Sequence, residues 1–440
     1  MKKRLLSLLL ILCLCAALLP AAVSAEDNVI ELNQTELDRL LGEATPVKPN
    51  LDAYSYKNPL PAGSYRLADD VVLMASIVIE GNVTLDLNGK SITRNLKYSC
   101  GAFRVIGKDA SLTLMDSSEE QSGAIDLFGG GDAFPLGGGV YVDGGSFIMD
   151  GGTIYQSYAV TFGGGVYLTN AASFTMSGGA IQACEAKYHD GGGVYIGDGC
   201  TFIMEGGAID SCKSSSGSAG GVYAAGTFIM SGGEIRSCHT EDGTPADGGG
   251  VYVASSGMFE MSGGSIEGCC AWINGGGVYV NTNGTFKMSG GTIRNNRLSE
   301  AWGGEGAGVY VANGATATLI TSNITGNTKT GGKEDNITAP GGYKEYEPPV
   351  DPDYPLISIL PALAKDLPFT DITSTDWFYN DVKYAYETGL MTGTASDAFS
   401  PGAPVTRGMV MTILARREGV RTDRYTCLLY TSPSPRDMRR

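Results

Sequence analysis

Cysteine recurs at Cys184, Cys212, Cys238 and Cys269, each three residues after an isoleucine, and Ser157, Asn296 and Asn327 hold the same place in neighbouring segments. Thiols at such regular intervals can oxidise in pairs, coordinate a metal, or pack as small buried hydrophobes. If these positions stack one above another, their Cα atoms lie about 4.8 Å apart, which a disulfide permits. A regular column does not choose partners, however, and this favours buried thiols over fixed pairs. It also keeps its members in line, whereas a structural metal needs four ligands that converge, so neither a metal nor a cofactor is expected. Asparagine at the same place can hydrogen-bond along the column through its amide.

A second series is aromatic: Tyr141, Tyr167, Tyr195, Tyr223, Tyr252, Tyr279 and Tyr310 each stand between two aliphatic residues. Strand alternation turns such a tyrosine outward, where a stripe of phenols either stacks on itself or offers a platform for sugar rings. Groups suited to glycan cleavage are dispersed. Asp150, Glu205 and Glu260 occupy places filled by Ser or Lys in other segments, and His189 and His239, the two histidines of the chain, fall in variable stretches read as solvated bends. A lyase or hydrolase needs carboxylates gathered on one face. The glycine runs have no following Lys-Ser/Thr of a phosphate loop and no aspartate per turn of a calcium repeat. The chain is therefore expected not to be an enzyme.

The elements that must position both series are two repeated phrases. Gly137-Gly138-Gly139-Val140-Tyr141-Val142 returns from Gly163, Gly191, Ala219, Gly248, Gly275 and Gly306 at intervals of 26 to 31 residues. A phrase of the form F-x-M-x-G-G-x-I follows, with Phe147/Met149/Ile154 and Phe202/Met204/Ile209 as examples. Alternating apolar residues in runs too short for a helix read as strands, and glycine supplies the corners between them. A fixed period of this length predicts a mainly β, parallel β-helix solenoid in which each coil holds two or three short strands. The chain resembles parallel β-helix proteins of pectin-lyase-like architecture, especially the glycine-rich repeats of bacterial surface proteins.

In chain order, residues 1–25 read as a secretory signal peptide: Lys2, Lys3 and Arg4, an apolar run from Leu5, and Val23-Ser24-Ala25 before the cleavage point. With 31 basic and 47 acidic residues the net charge is −16, which argues against nucleic acid as a partner and suits an exported protein. After the leader no stretch is long and apolar enough to cross a bilayer as a helix. Residues 26–63 form a lead-in with a short helix over 34–41. The solenoid is assigned to 64–338, about ten coils and on the order of 50 Å long, its first coils lacking the glycine triple and acting as a cap.

A Pro-rich linker follows at 339–366. Beyond it Phe369-Thr370-Asp371-Ile372, Trp377-Phe378-Tyr379, Gly389-Leu390-Met391-Thr392-Gly393, Phe399-Ser400-Pro401 and Val405-Thr406-Arg407 resemble, in order and spacing, the S-layer homology (SLH) domain. That resemblance implies a small α-helical unit at 367–423 that holds an exported protein to anionic secondary cell-wall polysaccharide. Arg407 is the expected partner of a glycan carboxylate, with Thr406 beside it and Trp377 as a stacking or core residue. Where the family motif ends Thr-Arg-Ala-Glu, Gly408 and Met409 stand here. Residues 424–440 look like a translated sequencing adapter, so the first SLH repeat is expected to be cut short and the natural protein to be longer. The sequence thus predicts an envelope-anchored display, adhesion or glycan-binding rod for environmental or host glycans or proteins. A carbohydrate-active enzyme and a structural S-layer subunit are the alternatives.

Overall fold

A computed structural model describes residues 29–48, 51–95, 101–128, 136–241, 246–299, 303–346, 369–372, 382, 386 and 398–400. The chain divides into two units, 1–346 and 347–440. In the first, each repeated phrase pairs in parallel with its own copy in the next coil: Tyr141 with Tyr167, Phe147 with Phe174, and Ile154 with Ile181. The F-x-M strands build a sheet of twelve, and the V-Y-V and isoleucine strands build sheets of ten. Ten strands correspond to about nine full turns, close to the expected ten coils.

Alternation decides what faces inward. Val140 and Val142, Phe147 and Met149, and Ile154 are all 0 % exposed, and their counterparts in every Gly-rich coil are 0 to 3 % exposed. Because the copies pair in register, like packs on like. The phenylalanines from Phe147 to Phe286 form a buried stack with ring centroids 4.4 to 5.0 Å apart. Each such pair adds about 0.5–1.5 kcal/mol to the burial of the rings themselves. The glycine triple is required by the closeness of successive coils. At Gly191 the backbone takes φ 74°, and a Cβ on Gly192 would lie 2.2 Å from the Lys213 carbonyl oxygen.

The early coils hold the expected three strands, and from Tyr158 onward the coils hold a fourth. A fourth sheet of eight strands, each of two residues, runs from Tyr158–Ala159 through Glu185–Ala186, Lys213–Ser214, His239–Thr240, Cys270–Ala271 and Arg297–Leu298 to Thr328–Lys329 and Lys333–Glu334. His239 therefore lies in a strand and not in a bend. Two-residue strands carry no apolar alternation to be read, and their pairing comes from stacking alone.

The lead-in belongs to the solenoid. Strand Ile30–Leu32 pairs with Gly63–Leu67 at the edge of the F-x-M sheet. Helix α1 (Gln34–Leu41), capped by the Asn33 side chain on the Glu36 N–H, buries Leu37 and Leu41 in the common core. Covering the first coil in this way keeps its apolar end out of water. An antiparallel hairpin, Ala44–Lys48 with Leu51–Tyr56, follows. At the other end Lys344–Glu345 pairs with Thr318 and Leu319, so the sheet extends past residue 338.

In the second unit Phe369, Ile372 and Val382 form a small core against Phe399. Asp371 accepts hydrogen bonds from the backbone N–H of Phe399 (2.9 Å) and Ser400 (2.6 Å). Tyr386 meets Phe369 edge to face, with ring centroids 5.0 Å apart.

Candidate functional site

The bend column exists as a buried file. Ser157, Cys184, Cys212, Cys238, Cys269, Asn296 and Asn327 are 0 to 1 % exposed. One hydrogen bond unites its cysteines and asparagines. Cys184 reaches the carbonyl of Ile154, Cys212 that of Ile181, Cys238 that of Ile209 and Cys269 that of Ile235, at 3.4 to 3.7 Å, each sharing its one S–H with the carbonyl two residues before it at 3.3 to 3.5 Å. The Asn296 and Asn327 amides donate to the carbonyls of Ile266 and Ile293 at 3.1 Å. In each case the isoleucine is the repeat isoleucine of the coil before. Asparagine adds a second bond, since Asn296 Oδ1 receives the Cys269 N–H and Asn327 Oδ1 the Asn296 N–H. The thiols are not paired as disulfides, and burial pushes Cys212 and Cys269 well above the ordinary thiol range. All four thiols of the column are 0 % exposed, so none is presented to solvent.

The tyrosine stripe faces outward, half-buried, as alternation requires. Successive rings from Tyr141 to Tyr310 stack with centroids 4.9 to 5.6 Å apart and planes 2° to 15° from parallel. Arg104 covers the outer face of Tyr141 at 5.4 Å, and Phe162 leans on Tyr195. Ring faces inside the ladder are therefore taken by other rings, leaving edges and hydroxyls for any ligand. Burial also pushes the Tyr223 and Tyr279 hydroxyls up to about 12.

A third ladder escaped the sequence reading. The residue before the glycine triple is Asp190, Ser218, Asp247, Asn274 and Glu305 in successive coils. Asp190 accepts the Ser218 N–H (2.7 Å), Ser218 the Asp247 N–H (3.4 Å), Asp247 the Asn274 N–H (2.9 Å) and Asn274 the Glu305 N–H (3.0 Å). Burial raises the carboxyls of Asp190 and Asp247. Its signal was a short polar acceptor at Asp190, Ser218, Asp247 and Asn274, ahead of four successive glycine-run copies, the residue type that binds nearby backbone N–H groups.

The dispersed acids stay dispersed. Asp150 and Glu205 are exposed at the bends after Met149 and Met204, and Glu260 lies half-buried on the F-x-M sheet. Among the described residues no group of three or more His, Cys, Asp or Glu is placed to hold a metal ion. His189 is exposed and stacks on Phe162 at 4.7 Å. The concave surface of interest lies over the fourth sheet, a cleft of about 760 Å³ that includes His239, Cys270, Arg297 and Lys329. Trp377, Thr406 and Arg407 lie outside the described residues. No helix among the described residues is long and apolar enough to cross a membrane.

Residues 164–336 match the family described as right handed beta helix region, and residues 368–408 match the S-layer homology domain. No curated protein and no solved structure matches the chain. Parallel pairing from coil to coil agrees with the first of these matches: the chain joins a right-handed β-helix region to a C-terminal S-layer homology domain.

Proposed function

We propose that this is an exported surface protein tethered to secondary cell-wall polysaccharide through its SLH domain, with the β-helix as a non-catalytic display or adhesion rod. The observation that carries the reading is the SLH match at 368–408, which spans the Thr406-Arg407 pair. SLH domains generally bind cell-wall polysaccharide, and the guanidinium fork of Arg407 suits a carboxylate on such a polymer. Support for a passive rod comes from the solenoid itself: its thiols and amides are spent on bend hydrogen bonds, its tyrosines on each other, and its acids are scattered.

The test is co-sedimentation with purified sacculi that retain their secondary polymer. The full chain should pellet, and the chain ended after Tyr346 should stay in solution. Arg407→Ala removes a charge-assisted contact of about 1.5–3 kcal/mol, so it should weaken binding about ten- to a hundredfold. Equal pelleting of the shortened chain would show that the envelope is reached by another route.

A further inference from the structure

Several outward charges of the Gly-rich coils are paired with a carboxylate nearby. On the isoleucine sheet Arg236 meets Asp210 at 3.0 Å and Arg294 meets Glu267 at 2.7 Å. On the fourth sheet Lys213 lies 3.3 Å from Glu185 and 3.6 Å from Glu241, and Lys329 lies 3.6 Å from Asp335. Arg297 breaks the pattern. Among the described arginines of these coils it alone holds no carboxylate, in a chain whose net charge is −16. It is exposed, and it lines the cleft over the fourth sheet.

The register explains the cleft's make-up. His239 pairs with Cys270, Cys270 with Arg297, and Arg297 with Thr328, so these four side chains point outward in one file. Cys270 is half-buried between the two basic residues, whereas the other described cysteines are buried. Ser299 and the Gly331-Gly332 turn complete one wall. At about 760 Å³ the cleft lies within the range of small-molecule sites. Among the described residues its fixed charges are Arg297, Lys329 and Glu241. Lys329 faces Asp335 at 3.6 Å, and Glu241 shares Lys213 with Glu185, whereas no carboxylate of the described residues lies within ion-pair distance of Arg297. A single guanidinium fork beside hydroxyls suits a monoanion, and Glu241 in the same lining opposes a phosphate dianion.

We propose that this cleft binds a small organic carboxylate, with Arg297 gripping the carboxylate over Cys270 and with Ser299 and Thr328 meeting the ligand's polar groups. A sugar acid and a peptide-like acid present the same group, and the probes below separate them. The site is independent of envelope anchoring, and sedimentation with sacculi can fail while the cleft binds.

The experiment is titration calorimetry of the full chain at low ionic strength with glucuronate, acetylalanine and glucose. At least one acid should bind, with glucose at least tenfold weaker. Binding of glucuronate alone assigns a sugar acid, of acetylalanine alone a peptide-like acid, and of both a site that reads the carboxylate. Arg297→Gln should weaken the binding acid at least tenfold, Arg297→Lys should fall between, and Arg294→Gln, which removes a paired arginine nearby, should change nothing. A saturating acid should also slow alkylation of Cys270 by iodoacetamide at least threefold, because the ligand covers that thiol. Absence of binding by both acids, equal binding of glucose, or an unchanged Arg297→Gln variant overturns the proposal.

Discussion

The coils between Gly63 and Leu127 and those between Gly138 and Asn327 share one architecture but turn the corner after the F-x-M strand by different chemistry. In the early coils the corner is organised by buried carboxylates. Asp86 accepts from the Asn88 and Ser117 N–H groups, the Ser117 hydroxyl and Arg66, and Asp116 accepts from the N–H groups of Gly89, Ser118 and Gly123. In the later coils the Asp116 position is glycine, Gly178 and Gly206 for example. There the corner closes backbone to backbone, with the Gly206 N–H donating to the Met176 carbonyl at 3.2 Å. A carboxylate can gather several N–H groups from an irregular loop, whereas a glycine pair serves only a tight, repeated turn. The first solution depends on ionisation and the second on the absence of a Cβ.

The strongest way to break this comparison is Asp116→Ala. It strands three N–H groups around a 4 % exposed side chain, at about 1–3 kcal/mol each, so a loss of about 4 kcal/mol is expected. Removing Asp190, which accepts a single N–H, should cost about 1 kcal/mol. Denaturant unfolding gives both values, and hydrogen exchange should place the Asp116→Ala loss in the early coils. Equal costs would remove the distinction.

Gly206→Ala probes the other solution. Its Cβ would lie 2.2 Å from the Ser177 carbonyl oxygen, a backbone atom that cannot step aside, and about 3 kcal/mol should be lost in the later coils. A cost under about 1 kcal/mol would mean that the coils can separate to admit a methyl group.

Acid should separate the two regions by sign. Burial opposes ionisation of Asp86 and Asp116, but the donated hydrogen bonds outweigh it and hold both carboxyls below the ordinary 3.8. Their contribution is complete above that value and is lost as pH falls through and below it. Asp190 and Asp247 are raised by burial, so folding favours their protonated forms. Their contribution grows as pH falls from their raised values towards 3.8. Hydrogen exchange between pH 6 and 3, the lower end set by these values, should show the early coils opening first in acid. Simultaneous opening, or earlier loss of the later coils, would contradict the assignment.

The smallest effect sharpens why glycine recurs. The residue before the bend column is left-handed in every Gly-rich coil: Gln156, Ala183, Ser211, Ser237, Gly268, Asn295 and Gly326 have φ between 47° and 65°. At Gly268 a Cβ would meet nothing closer than 3.9 Å, so Gly268→Ala isolates the backbone cost, about 1 kcal/mol, and Ala183→Gly should recover a similar amount. Thermal melts of both variants check this. A larger loss at Gly268 would point to packing rather than φ.

The sequence by itself determined the period, the inward Phe, Met, Val and Ile, the outward tyrosines and the file of Ser157, cysteines and asparagines. A short alternating strand repeated in register admits one inward face, and its copies must stack. It also carried the SLH signature, whose expected polymer-binding residues Trp377, Thr406 and Arg407 lie outside the described residues. Tertiary structure decided what depends on the distance between coils. Only stacking shows that tyrosine faces are covered by other tyrosines, that Lys213–Ser214 and its counterparts form a fourth sheet, and that Ile30–Leu32 and helix α1 close the first coil. The unmatched Arg297 is of the same kind. Its neighbours His239, Cys270 and Thr328 stand 27 to 58 residues away along the chain, and no local pattern marks them, because charge pairing across coils is set by register.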